Sequence, residues 1–147
     1  MDETITRNWN TTVTQDDEVF ILGDFTMKPA TAAHSYLSKL NGRKYFIKGN
    51  HDRFVKSFAS YADDFVWVKD YYQLNVNGQC FVLFHYPILE WANYYRGSIH
   101  LYGHIHNSAV SGKLLEGLKG AAFNVGVDIN GFKPVSINEI TRKANRI

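Results

Sequence analysis

The chain has 147 residues, 45% of them hydrophobic and 20% charged, which is the size and composition of one globular domain spanning 1–147. A formal charge of +2 without a run of five or six cations carries no argument for nucleic-acid binding, and no apolar stretch approaches the length of a membrane span. One cysteine, Cys80, excludes an intrachain disulfide, so a cytoplasmic protein with a buried, inert thiol is expected.

In chain order, Asp2 to about Val13 reads as a helix, with Ile5, Trp9 and Val13 on one face. Val19 to Leu22 is a short, continuous apolar run that fits a strand buried on both faces, and it ends at Gly23-Asp24. Thr31 to Leu40 predicts a second helix that Asn41-Gly42 stops. Lys44 to Lys48 is a strand leading into Gly49-Asn50-His51-Asp52, and Phe54, Val55, Phe58 and Ala59 mark a third helix. The second half reads as strands: Phe65 to Val68, Tyr71 to Val76, Gln79 to Phe84, Ile99 to Tyr102, Ala121 to Val127 and Val135 to Ile137. Asn77-Gly78 is a two-residue hairpin signal, and Ser136 with Glu139 has capping-box spacing for a short closing helix.

Four polar motifs stand at the ends of these apolar runs: Gly23-Asp24, Gly49-Asn50-His51-Asp52, His85, and Gly103-His104-Ile105-His106. Carboxylate, amide and imidazole groups at strand ends are the materials of a metal-centred hydrolytic site. A carboxylate such as Asp24 can bridge two cations, Asn50 offers a neutral carbonyl oxygen, and His85 and His104 offer ring nitrogens. His104 and His106, two apart on an extended segment, point the same way. Each has a structural alternative: a turn residue for Asp24 and Asn50, a helix start for His51 and a helix cap for Asp52.

The ordered set of motifs resembles the calcineurin-like metallophosphoesterases of small bacterial and phage type, from about Val19 to the end, with Asn124-Val125-Gly126-Val127-Asp128 and Phe132-Lys133-Pro134-Val135-Ser136 resembling their closing strands. The resemblance implies a four-layer α/β/β/α sandwich of two mixed sheets. Members open with Asp-x-His on a first strand; no Asp-x-His occurs in this sequence, so the first strand is expected to be missing. By the same resemblance, Asp24, Asn50, His85 and His104 hold one metal, while Asp24 and His106 leave the other site weak. His51 is the expected general acid, with Asp52 orienting it or raising its pKa. The implied activity is hydrolysis of a phosphomonoester or phosphodiester by metal-activated hydroxide, impaired by the loss of the first motif. Up to two divalent ions, Mn, Fe, Zn or Ni, suit nitrogen and oxygen ligands without thiolate. Arg53, Tyr95 and Arg96 are the substrate-binding candidates, for a phosphorylated small molecule or nucleotide. No membrane partner is expected, nucleic acid has no specific support, and a homodimer would shield the open sheet edge. The alternative is a catalytically inactive metal-binding scaffold that recognises phosphorylated ligands or nucleic acid.

Overall fold

The computed structural model describes residues 3–23, 30–50, 52, 63–105 and 115–146. Two sheets organise them. In the first, β1 (Glu18–Ile21), β2 (Arg43–Ile47) and β3 (Val68–Lys69) run parallel in the order β1-β2-β3. In the second the order is β4 (Tyr71–Val76), β5 (Gln79–Phe84), β6 (Ile99–Tyr102) and β7 (Ala122–Asn124). β4 and β5 form an antiparallel hairpin about Asn77-Gly78, both at positive φ as the tight turn requires, whereas β5-β6 and β6-β7 are parallel.

The alternation of side chains along the strands divides the apolar residues between two cores. Phe46, with Val19, Ile21 and Val68 beside it, faces α1 (Glu3–Thr12) and α2 (Ala30–Leu37), where Trp9, Val13, Ala33 and Leu37 are buried. The opposite face of the same sheet sends Phe20, Leu22, Ile47 and Trp67 toward Phe81, Leu83, Ile99 and Leu101 of the second sheet. Strands buried on both faces explain the near-continuous apolar runs in β1 and β2. The short α3 (Ile137–Ala144) adds Ile140 to this inter-sheet core. Its Ser136 cap accepts a hydrogen bond from the Glu139 amide, so a helix occupies the position where a strand through Ile137 was expected.

The expected four-layer sandwich of two mixed sheets is therefore corrected on two counts. The first sheet is wholly parallel; only the second is mixed. Among the described residues, helices cover one outer face. On the outer face of the second sheet the described cover is an irregular segment: Trp91 packs on His100 of β6, and the Ile88 amide donates to the same ring. Among the described residues no strand pairs with the outer edge of β1, and the expected third helix at 54–59 lies outside them. Cys80 is half-buried rather than buried.

Candidate metal centre

The chain leaves the ends of β1, β2, β5 and β6 for the same place, and the backbone there is packed closely around one imidazole. His85 follows β5 and is almost fully buried. Its Nδ1 lies 2.7 Å from the carbonyl oxygen of Leu22, just beyond β1. A carbonyl only accepts, so Nδ1 carries the proton and, in the neutral ring, Nε2 presents its lone pair.

Glycine is required at two positions around this ring. A Cβ on Gly23, whose φ is +87°, would collide with His85 Nδ1 and with the backbone of Gly49. A Cβ on Gly103 would meet the Leu22 carbonyl oxygen at 2.8 Å. Gly23 and Gly103 thus let the strand ends close on His85. The β5-β6 ladder continues through this region, with the Gly103 amide donating to the His85 carbonyl at 3.0 Å.

His85 Nε2 lies 3.1 Å from Asn50 Oδ1 and 3.1 Å from His104 Nδ1. With Nδ1 protonated in the neutral His85 ring, Nε2 and the Asn50 amide oxygen are both lone-pair atoms, a half-buried pairing that positive charge between them stabilises. Ligand atoms at about 2.1 Å from a common divalent ion stand roughly 3.0–3.4 Å apart for octahedral or tetrahedral angles. The two spacings at His85 fall in that range, so the residues fit a metal ion. Two imidazoles and one amide make the described part of this cage; among the described residues there is no cluster of three His, Cys, Asp or Glu side chains.

The supports of the cage are equally specific. Asp52 is buried, and its Oδ2 accepts the Gly49 amide at 2.7 Å, which ties the loop carrying Asn50 to the end of β2. His104 adopts a left-handed backbone, φ +48°, within a tight Gly103–Ile105 turn. For a residue with a Cβ this costs on the order of 1 kcal/mol, and it swings the ring toward His85. Asn124 at the end of β7 donates from Nδ2 to the Ile105 carbonyl at 2.6 Å and so anchors the segment after His104. Tyr86 packs its ring against both His85 and His104, with centroids 4.8 and 4.6 Å away.

Of the residues singled out in the sequence, Asn50, His85 and His104 are brought together and Asp52 braces them. Asp24, His51, Arg53 and His106 lie outside the described residues. Tyr95 and Arg96 belong to a 3-10 turn, Tyr94–Arg96, that packs through Trp91 on the outer face of the second sheet; Tyr95 is 83% exposed and its ring contact is with Tyr94. The structure does not draw these two into the cage. The Leu22 carbonyl is a contributor that sequence reasoning missed. The glycine preceding each motif was the available signal for the close packing, while a main-chain carbonyl leaves no signal at all.

No family model matches the chain. It is 33% identical over 144 residues to the uncharacterized protein MJ1445 of Methanocaldococcus jannaschii, across 97% of this chain and 74% of that protein. The chain belongs to the same family as MJ1445. The crystal structure of the protein of unknown function AQ665 from Aquifex aeolicus superposes with a TM-score of 0.73 over 95% of this chain and 83% of that one, at 24% identity. At that identity the likeness to AQ665 speaks for the fold alone.

Proposed function

We propose that the chain is a metal-dependent phosphoesterase, cleaving a phosphomonoester or phosphodiester at the strand-end cage. The observation that carries this reading is the convergence of Asn50 Oδ1 and His104 Nδ1 on the lone-pair nitrogen of His85 at 3.1 Å each. The order and spacing of the polar motifs, which resemble those of calcineurin-like metallophosphoesterases, supply the reaction class. A divalent cation held there supplies positive charge to the phosphate oxygens and acidifies water.

The chain's own groups divide the remaining work. His85 is held in one tautomer by the Leu22 carbonyl, so its Nε2 remains available as a ligand atom. His104 and Asn50 complete the described ligand set, and Asp24 and His106 extend it in this reading. Asp52 fixes the loop on which Asn50 rides. His51, next to Asn50 in sequence, is the proton donor to the leaving oxygen. No helix among the described residues is long and apolar enough to cross a membrane, and with its single cysteine the chain suits the cytoplasm.

The test pairs metal analysis with turnover. The chain is dialysed against manganese, its metal content is measured, and hydrolysis of bis(p-nitrophenyl) phosphate is followed. The expected result is bound metal and turnover, both lost in His85→Ala, with turnover alone lost in His51→Ala. Metal without turnover would make the chain a metal-binding scaffold instead. No metal at all would remove the reading.

A further inference from the structure

Beside the cage lies a second concavity of about 430 Å³, lined by Lys48, Gly49, Asn50, Asp52, Asp70, Phe84 and Tyr86. That volume is within the range of small-molecule sites. We propose that it seats the nucleoside part of a nucleotide ester whose phosphate lies at the cage. This assignment rests on the phosphoesterase reading for its place in the reaction and goes beyond it in naming the substrate class.

Three features argue for a nucleoside. The first is continuity. Asn50 and Asp52 line the cavity and also belong to the cage, and the Tyr86 ring touches His85 and His104 on one side and Phe84, at 5.7 Å, on the other. Tyr86 is therefore the partition between the two compartments. In this assignment a group esterified to a phosphate at the cage extends past Tyr86 into the cavity. The second is aromatic lining. Phe84 is half-buried and braced by Tyr71 at 6.3 Å, and Tyr86 is 38% exposed, so the cavity offers rings held in place but open to a planar ligand.

The third feature is charge. Lys48 Nζ stands 3.4 Å from Asp70 Oδ1 on the rim, a donor beside an acceptor. Among the described lining residues the other carboxylate, Asp52, is taken up by the Gly49 amide. A neutral ring with donor and acceptor edges satisfies the rim pair, as a nucleobase does. The substrate class is thus a nucleoside phosphate ester.

Binding tests this independently of turnover. Equilibrium dialysis is run with adenosine, with methylphosphonate, and with the phosphonate analogue of adenosine 5′-monophosphate, which has no ester bond to cleave, each with and without manganese. The expected result is that the adenosine phosphonate binds about 10-fold more tightly than methylphosphonate, the worth of one base stacked on an aromatic ring. Adenosine alone should bind without metal. Phe84→Leu should remove the 10-fold preference and leave methylphosphonate binding unchanged. Lys48→Met, which leaves the partition intact, should weaken adenosine binding and not methylphosphonate binding. Equal binding of the two phosphonates, with no binding of adenosine, would overturn the nucleoside site and leave the phosphoesterase reading standing. Adenosine binding that Phe84→Leu abolishes, together with methylphosphonate indifferent to manganese, would keep the site and remove the phosphoesterase reading. Binding of none of the three would overturn both.

Discussion

Two histidines at the heart of the second sheet begin alike and end differently. His85 and His100 are both almost completely buried, and each donates from Nδ1 to a main-chain carbonyl, Leu22 for one and Val82 for the other. The difference lies at Nε2. In His100 it accepts the Ile88 amide at 3.0 Å, so donor and acceptor are both used and the ring pins the segment after β5 to β6. In His85 it faces the oxygen of Asn50 and a ring nitrogen of His104. A buried imidazole whose second nitrogen meets an N–H is a structural pin; one whose second nitrogen meets an amide oxygen and a second imidazole is the ligand in the function proposed above. Burial and the Nδ1 bond, taken alone, do not separate the two.

The comparison breaks most sharply at His85. His85→Ala should lower affinity for manganese more than about 100-fold, exceeding what the loss of an outer partner costs. Elemental analysis after dialysis reads this, and unchanged metal content would put His85 in the same class as His100. His100→Ala should do the opposite, leaving metal per folded chain unchanged while destabilising the protein by about 2–3 kcal/mol. It strands the Val82 carbonyl and the Ile88 amide and opens a void against Trp91. Urea unfolding monitored by tryptophan fluorescence checks that.

The pH dependence of stability sharpens the same contrast. Burial lowers the His100 pKa below its ordinary 6.5, against smaller opposing effects of the Val82 and Tyr86 backbone. The unfolded chain therefore binds a proton at this residue before the folded one does. The contribution of His100 is intact above pH 6.5 and declines as pH falls from there toward the lowered value. His100→Gln should flatten the urea midpoint across that window.

Smaller effects belong to the supports. Asp52→Ala loses the bond to the Gly49 amide and should weaken metal binding about 10-fold, whereas Asp52→Asn keeps an oxygen acceptor and should restore most of it. Failure of Asn to rescue, read by the same dialysis, would mean that the charge of Asp52 matters more than its hydrogen bond. Asn124→Ala, which frees the Ile105 carbonyl, should cost about 1 kcal/mol of stability and a few-fold in metal affinity.

Much of this was legible in the residues. The hairpin at Asn77-Gly78, strand β6 and the Ser136 cap follow from local chemistry, since turn type, apolar run and capping oxygen are properties of a few adjacent residues. The polar motifs at strand ends also named Asn50, His85 and His104 before any contact was known. Local rules failed where two explanations fit one pattern. Val135 to Ile137 is as apolar as a short strand, yet the Ser136 hydroxyl and the burial of Ile140 between the sheets make it a helix start. The extra outer layer was expected from the resemblance, and among the described residues Trp91 packs on His100 over that face.

The sequence by itself determined which groups stand at the strand ends, because alternating apolar runs place the polar residues that interrupt them at their termini. Only the tertiary structure decided which of those groups meet. That His85 serves the cage and His100 the scaffold depends on whether an amide N–H or an amide oxygen arrives at Nε2. Those partners come from chain segments 35 and 12 residues away, and nothing in the imidazole or its neighbours in sequence encodes which will arrive.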